Sequence, residues 1–500
     1  MRTAFRTVIA LLLALLGSAA FAAGKPMPKP TAYVTFWFDT EDYLLPAADD
    51  AAKRLAEIFE AQGVRATFKV VGEKARVLRD RRRADVIAAL KKHDIGYHTD
   101  FHSVHPTPSE YSRDADWDEG VAEFLAREGQ GLLDLQRIFG LDRAACYGQP
   151  GSSWTPQSYA ALRQMRIPLY LDDASQVGLD GRPFWYAGVL NAFNLRGYTT
   201  RANVKSDEGV RAGCEEFDKL RARALREGGG LISIYYHPCE WVHEQFWDGV
   251  NFAKGANPPR SEWKQPPQKP AEQTEAEFQN FARYLEFVRT RANVRLVTAS
   301  DIVSLYPDRA YAQPFGPGDL AAMARAVEQE VSFARVGERT LSAAEITSLL
   351  ARAVEEFARG GRLPEALKPR FCYGPSSASS ATVESGAFAW PRFVEACRDY
   401  TRATARLDRM PAVVWIAGRA VDPVDFAATL GAVVAPLAAA GQAPETVELR
   451  QGNWSVARYV AEDADNLWGW VIFPEDFRAP KMMALARLQS WTLKPAMLQK

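Results

Sequence analysis

The feature that most constrains the fold is an alternation of strand-like and helix-like segments between Tyr33 and Val297. Runs rich in β-branched and aromatic residues are separated by segments with apolar residues at helical spacing, for example 49–62, which ends at Gly63. Parallel strands need a crossover, which is usually a helix. The alternation therefore predicts a parallel sheet or an α/β barrel, with functional groups on the loops that follow the strands. The predicted strands are 33–38, 66–71, 95–98, 144–147, 169–171, 231–236 and 294–297.

The chain changes character after Tyr306, where Ala- and Arg-rich segments with helical spacing take over. A chain of 500 residues is too long for a single core and predicts roughly two or three domains. We therefore place a first domain at 32–306 and a mainly helical accessory domain at 318–500.

Two helical segments in the second domain, 341–360 and 393–407, can be aligned with each other. The alignment pairs Ile346 with Phe393, and it loosely resembles pseudomurein-binding repeats, which are small helical cell-wall adhesion units. Helical periodicity alone produces chance matches of this kind. An ordinary helical accessory domain is therefore the alternative interpretation.

The N-terminus has the parts of a secretory signal peptide. Arg2 and Arg6 precede the apolar run 8–16, and small residues follow through 18–23. The apolar run is short for a membrane span, which needs about 20 residues. We predict a signal peptide at 1–23 and an exported protein, periplasmic or extracellular, that contacts the membrane only if this segment stays uncleaved.

The charge balance argues against a nucleic-acid partner. Lys+Arg and Asp+Glu both number 61, so the formal net charge is zero, whereas nucleic-acid binders carry a basic excess or stripe. The five cysteines are scattered without a C-x-x-C spacing, so they predict neither a cysteine metal site nor a disulfide framework.

Carboxylates and histidines follow two of the predicted strands. Asp39, Glu41 and Asp42 come directly after the first strand, and neighbouring carboxylates repel one another unless a cation or a shared proton relieves them. His98 and His102 follow a later strand, and histidines at i and i+4 can converge on one metal if the loop turns helically. The two groups together predict a metal site.

A third polar group, His237, directly follows the apolar run 231–236, a suitable place for an acid–base residue. The alternative is structural, because acidic residues after strands often cap helices and histidines are often ordinary loop residues. The chain has only six histidines, however, and three fall at 98, 102 and 105. This clustering at strand ends favours a functional site.

From about Tyr33 to Tyr306 these motifs resemble the polysaccharide deacetylases of carbohydrate esterase family 4. The resemblance implies a distorted (β/α) barrel as the catalytic domain. Asp39-Thr40-Glu41 fits the D-x-E form of the first family motif, which implies Asp39 as the base and Glu41 as a metal ligand, with Asp42 as a rival ligand. His98 to His102 matches H-[S/T]-x-x-H-P, with Ser103 in place of Pro, and implies both histidines as ligands.

The remaining family motifs match less closely. In the third motif, Gly148 stands where an Arg that holds the catalytic Asp belongs, so Gln149 or a distant side chain must substitute for it. In the fourth, Asp172 follows the strand 169–171, and the resemblance implies that it or Asp173 pairs with the catalytic His. The fifth, L-x-x-H, is approximated by the residues ending at His237, which implies His237 as the acid.

The resemblance implies a metal-dependent hydrolase that removes acetyl groups from a cell-envelope or extracellular polysaccharide, with the cell wall as a partner of the second domain. Zn²⁺ suits two His and a carboxylate, and Ni²⁺, Co²⁺ or Mn²⁺ would also fit. The alternatives are a hydrolase of a small amide in the same fold, and a catalytically silent glycan- or wall-binding protein, which the missing Arg supports. Aromatic residues near the motifs either stack on sugars or pack in the core. These are Trp154, Trp185, Tyr186, Trp241 and Trp247.

The second domain lacks the residues expected for hydrolysis. No histidine lies beyond His243, and the acidic residues are spread along helical faces. We therefore expect truncation near Pro317 to leave activity on short substrates intact. Three tryptophans, Trp454, Trp468 and Trp470, would serve to hold a glycan if they are exposed.

Overall fold

The structure, a computed structural model, describes residues 29–499, so the predicted signal peptide at 1–23 lies outside the described residues. In the part up to residue 306 the strands follow the predicted order closely. They are β1 Ala32–Thr40, β2 Thr67–Val70, β3 Asp94–Tyr97, β4 Leu169–Leu171, β5 Phe184–Tyr186, β6 Val189–Ala192, β7 Thr199–Thr200, β8 Gly230–Tyr236 and β9 Val294–Leu296.

Helices lie between most of these strands. The first, Pro46–Ala61, has Pro at its start and is followed by Gly63 in the left-handed conformation (φ 69°), where the sequence predicts its end. The helices of this part are α1 Pro46–Ala61, α2 Gly72–Asp80, α3 Ala84–Leu90, α4 Pro108–Ser112, α5 Trp117–Phe139, α6 Gln157–Gln164, α7 Asp207–Arg226, α8 Trp247–Phe252, α9 Ala271–Thr290 and α10 Ala299–Leu305.

The long strand β1 is the centre of a parallel sheet. It pairs in parallel with β2, β8 and β9, and the sheet continues from β2 to β3 and from β8 to β7. Single bridges at Tyr147 connect β3 to β4, which belongs to a further sheet in the order β16-β5-β6-β4, where β16 is Lys494–Pro495. The prediction of an α/β fold with the parallel sheet of a distorted barrel is confirmed. The predicted strand 144–147 is reduced to Tyr147 alone.

Aromatic side chains fill the core between β1 and its helices. Phe36, Phe38, Phe59, Phe68 and Phe281 are essentially buried, and their rings contact one another edge-on or stacked. Burying a Phe side chain contributes about 1.5–3 kcal/mol, so this cluster fixes β1 firmly against α1 and α9. The carboxyl end of β1 is held in place as a consequence.

The second part of the chain is mainly helical, as expected, and has its own hydrophobic core. Its helices α11 and α14 pack together, as do α12 and α13. The elements are α11 Pro317–Gln329, β10 Ala334–Val336, β11 Arg339–Leu341, α12 Ala343–Gly360, β12 Ala387–Ala389, α13 Trp390–Leu407, β13 Val414–Ile416, β14 Arg419–Val421, α14 Pro423–Ala440, β15 Thr446–Glu448 and α15 Pro480–Gln489.

An internal repeat is visible in this part, in a different register from the predicted one. The unit is a helix, a two-stranded hairpin and a second helix, formed once by α11, β10–β11 and α12, and again by α13, β13–β14 and α14. The unit matches α12 with α14, whereas the sequence alignment pairs α12 with α13. Both α12 and α13 are amphipathic, and for that reason their apolar spacing also aligns.

One helix, α14, is long and apolar enough to cross a membrane by length and composition. More than half of its apolar window, 56%, is buried inside the protein, and it packs on α11 in the second core. Core helices of soluble proteins have the same character, so this helix is weak evidence for a membrane span. All five cysteines lie in the described part of the chain, and none is bonded to another.

The last segment of the chain returns to the first core. Val456, Val460, Leu467 and Leu493 are buried there, and β16 pairs with β5. Trp491, in contrast, is buried in the second core. The boundaries 32–306 and 318–500 remain predictions, but residues after 455 pack largely on the part that precedes 306.

Candidate metal centre

The carboxyl ends of β1 and β3 bring Glu41, His98 and His102 together. One ligand atom from each of these buried side chains lies within 4.8 Å of the others. His102 Nε2 is 2.9 Å from Glu41 Oε2, and His98 Nε2 is 3.9 Å from the same oxygen. Parallel strands end at one edge of a sheet, which explains why residues far apart in sequence meet here.

The loop that carries the two histidines is not helical. Thr99 (φ 63°) and His102 (φ 59°) both adopt the left-handed conformation, which non-glycine residues seldom occupy. The two rings nevertheless converge, with centroids 4.9 Å apart. The expected convergence is thus achieved by a tight turn rather than by a helical turn, and strained backbone of this kind is concentrated at functional sites.

Both histidine rings are oriented so that Nε2 faces Glu41. His98 Nδ1–H donates to the carbonyl of Gly148 (3.0 Å), and His102 Nδ1 is 2.7 Å from the Ser103 hydroxyl. His102 Nε2 is buried and, although it lies 2.9 Å from Glu41 Oε2, it forms no hydrogen bond in the described part of the chain. Two imidazole nitrogens and a carboxylate with fixed second partners suit a divalent metal, so this cluster could hold one.

Asp42 lies outside this group. Its Oδ1 accepts a hydrogen bond from the Leu44 amide (2.7 Å), and its Oδ2 is 3.1 Å from His243 Nε2. Burial raises the pKa of Asp42 to about 6, although the positive charge of Lys74 opposes the rise. Of the two rival acidic residues, the structure brings Glu41 to the histidines and turns Asp42 towards His243.

A buried lysine stands beside the predicted base. Lys69 Nζ is 2.8 Å from Asp39 Oδ1 and also donates a hydrogen bond to Asp172, and none of these three side chains is more than 8% exposed. A Cβ at Gly148 would overlap both Lys69 Nζ and the Asp172 carboxylate. Lys69 therefore supplies the positive charge that the resemblance expects at position 148, and Gly148 provides the space for it.

The charges around Asp39 favour its ionised form. Burial opposes ionisation, but the neighbouring His98 ring, the Lys69 ammonium and His237 outweigh burial and lower the pKa of Asp39. Asp39 Oδ1 is also 3.4 Å from His98 Nε2, so Asp39, His98 and Asp172 form a second group with ligand atoms close enough for a metal. Lys69 already contacts both carboxylates of this second group, Asp39 and Asp172. The second group is therefore a weaker candidate for a metal site than the first.

His237 lies on the other side of Asp39, with Nε2 at 3.6 Å from Asp39 Oδ2. Its partner is Glu240, whose Oε1 is 2.6 Å from His237 Nδ1, and Glu240 in turn pairs with Arg201. Burial lowers the pKa of His237, but the Glu240 hydrogen bond and nearby carboxylates outweigh it and raise the pKa to about 9. The structure pairs His237 with Glu240 rather than with Asp172 or Asp173, the two expected partners, and Asp172 accepts a hydrogen bond from Lys69 instead.

Most of the aromatic residues considered for sugar stacking are core residues. Trp154, Tyr186, Trp241 and Trp247 are fully buried, and Trp185 is partly buried. Trp247 supports the site from within, since its Nε1–H donates to Glu41 Oε1 at 3.3 Å. An exposed ring, Phe246 (39% exposed), lies near His237, and the two ring centroids are 5.0 Å apart.

Sequence reasoning missed two residues of this site. Lys69 carries a weak signal, as the one charged residue inside the predicted strand 66–71. Glu240 follows His237 by three residues, and that spacing allows the side chain to reach back to the histidine. Gln149, the local candidate for the missing Arg, instead donates to the Gly151 carbonyl.

No protein-family model matches the chain, and no curated protein matches its sequence. Several solved structures are similar at low identity. A peptidoglycan N-acetylglucosamine deacetylase is 15% identical with a TM-score of 0.26, and the alignment covers 55% of this chain and 87% of that one. An allantoinase (Puue) is 14% identical with a TM-score of 0.37, covering 57% and 94%. A carbohydrate esterase family 4 pseudoenzyme from Bacillus anthracis is 12% identical with a TM-score of 0.27, covering 55% and 66%.

Proposed function

We propose that this protein is a metal-dependent hydrolase that removes acetyl groups from a cell-envelope or extracellular polysaccharide. The observation that carries the proposal is the metal-ligating group Glu41, His98 and His102 beside an acid–base pair, Asp39 and His237. A protein that only binds glycans needs no such pair.

Glu41, His98 and His102 would hold the ion. Such an ion supplies Lewis acidity, which polarises the carbonyl and lowers the pKa of water. Zn²⁺ is the natural choice for this donor set, and Ni²⁺, Co²⁺ or Mn²⁺ are the alternatives.

The protein's own groups then move the protons. Asp39 would take the proton of the attacking water at its carboxylate, which the neighbouring positive charges keep ionised. In the metal-free site His237 holds a proton at neutral pH, because the Glu240 hydrogen bond and nearby carboxylates outweigh burial and raise its pKa to about 9. It can donate this proton to the departing amine or sugar hydroxyl. The base, Asp39, is thus ionised and the acid, His237, is protonated before the reaction begins.

The polymeric substrate and the location belong to the same proposal. The signal-peptide pattern at 1–23 supports export to the periplasm or outside the cell. Attachment of the second part to the cell wall rests on the loose resemblance of its segments 341–360 and 393–407 to pseudomurein-binding repeats.

The test is acetate release from a panel of acetylated glycans, with and without a chelator, alongside small amides including allantoin. The proposal expects chelator-sensitive acetate release from at least one glycan, and loss of that release in His237→Gln. Turnover of small amides alone would contradict the polysaccharide assignment. Binding to glycans without any turnover would contradict enzymatic activity.

A further inference from the structure

A short stretch of the C-terminal segment, residues 467–473, lies against the candidate metal centre. On one side the carbonyl of Leu467 accepts a hydrogen bond from Gln176 (3.1 Å), and the Trp470 amide donates to Ser152 (3.2 Å). On the other side the backbone amides of Lys254 and Gly255 donate to the carbonyls of Val471 (3.0 Å) and Ile472 (2.7 Å). Hydrogen bonds thus hold this stretch between two loops of the first part of the chain.

Within this stretch, Trp470 reaches a proposed metal ligand. Its ring centroid is 5.2 Å from that of His102, and the two planes are nearly perpendicular (82°). Trp247 packs on His102 as well, with centroids 5.8 Å apart. His102 therefore has one tryptophan from the barrel and one from the C-terminal segment as neighbours.

The orientation of the Trp470 indole is fixed by its other contacts. Its Nε1–H donates to Asp248 Oδ2 (2.7 Å), a carboxylate that is itself buried. Gly151 lies directly against the indole, and a Cβ at that position would overlap the ring. The ring remains partly exposed, unlike Trp247, which is fully buried.

We infer that Trp470 forms a wall of the substrate site and determines specificity by stacking on a sugar ring of the polymer next to the acetylated residue. This inference rests on the proposed function. An indole held at one orientation presents an apolar face without losing side-chain entropy on binding, and such a face suits the C–H face of a pyranose. The C-terminal part then helps to build the site, which opposes the expectation that truncation near Pro317 leaves activity on short substrates largely intact.

The test compares the affinity of full-length variants for the N-acetylglucosamine tetramer by calorimetry, with metal content and acetate release measured in parallel. Trp470→Ala should weaken binding about tenfold, since aromatic contacts contribute up to about 1.5 kcal/mol beyond buried area. Trp470→Phe should keep the affinity within about threefold. Leu133→Ala is the control, because Leu133 is 54% exposed on α5, outside both the site and the second part of the chain, and it should bind like the wild type.

An unchanged affinity in Trp470→Ala would overturn the inference. So would loss of metal in that variant, because Trp470 would then act only as a support for His102. If the wild-type protein binds the tetramer but releases acetate from no glycan, the proposed function is contradicted, whereas the binding role of Trp470 is not. A wild-type protein that does neither would overturn both.

Discussion

Lys69 is fully buried between the carboxylates of Asp39 and Asp172, and its ammonium also lies 4.1 Å from the centre of the Trp37 ring. Burial disfavours the charge, but both carboxylates stabilise it, so the pKa of Lys69 rises. One ammonium therefore faces two buried carboxylates, and burial raises the pKa of Asp172 to about 7 although the charge of Lys69 opposes the rise. Removing one member of such a group leaves the others uncompensated.

Lys69→Met should destabilise the protein by about 3–5 kcal/mol, because it leaves two buried carboxylates without a partner. The double variant Lys69→Met/Asp172→Asn should recover part of that loss, since it also removes one of the stranded charges. Urea unfolding of the wild type, both single variants and the double variant measures the coupling. Additive losses in the double variant would show that Lys69 and Asp172 do not act on each other.

His237 should make stability depend on pH in the metal-free protein. Its folded-state pKa of about 9 lies above the ordinary value of 6.5, so its contribution is full below 6.5 and is lost as the pH rises through 9. The size is about 3 kcal/mol. The unfolding free energies of wild type and His237→Gln should therefore converge between pH 7 and 10.

His243→Gln is the matched control for this measurement. His243 is also buried, but burial lowers its pKa to about 4, so it is neutral throughout that range. The difference in unfolding free energy between His243→Gln and the wild type should therefore stay the same between pH 7 and 10. A constant difference for His237→Gln as well would contradict the assignment of a proton to that ring.

Single residues also show how far sequence reasoning reaches. Glu41, His98 and His102 could be predicted to meet, because strand ends of a parallel sheet converge and the residue types are those of a metal site. Lys69 could not be assigned, because its role depends on which side chains face each other across strands that the sequence does not align. Glu240 carries a local signal, its spacing of three residues from His237, but that spacing alone does not distinguish a partner of the histidine from an ordinary loop carboxylate.

At the scale of elements, the site depends on the close approach of β2, β4 and the chain at Gly148. Lys69 extends from β2 and Asp172 follows β4, and both side chains pass over Gly148. The candidate Cβ position is also 2.9 Å from the Leu171 carbonyl, which belongs to the backbone and cannot rotate away. The predicted strand 144–147 is mostly irregular here, and Gly148, which follows it, leaves the space that the Lys69 ammonium occupies.

Gly148→Ala should disturb this contact. The new methyl group must displace Lys69, so we expect a loss of about 1–3 kcal/mol in stability and at least a roughly tenfold loss of acetate release. Gly129→Ala in α5 is the control, because no atom lies within 4 Å of its Cβ position, and it should be neutral or stabilising by up to about 1 kcal/mol. Urea unfolding and acetate release of both variants would decide, and equal behaviour would contradict the crowding described for Gly148.

At the scale of the whole molecule, the chain crosses between two cores more often than its composition suggests. The composition change after Tyr306 marks the second core, but it does not reveal that residues after 455 return to the first. Lys494 joins the two parts through buried contacts with Glu345 (2.8 Å) and Asp308 (3.0 Å). Alternation predicted the barrel because local periodicity encodes it, whereas this return depends on long-range contacts that leave no periodic pattern.

The account as a whole depends on a metal bound by Glu41, His98 and His102, and metal analysis of the purified protein tests this directly. The wild type should bind one divalent ion per chain, His98→Ala/His102→Ala should bind none, and Glu41→Gln should lose more metal than Asp42→Asn, whose carboxylate faces His243. Full occupancy in the double histidine variant would contradict the metal centre, and a greater loss in Asp42→Asn would move the ligand role from Glu41 to Asp42.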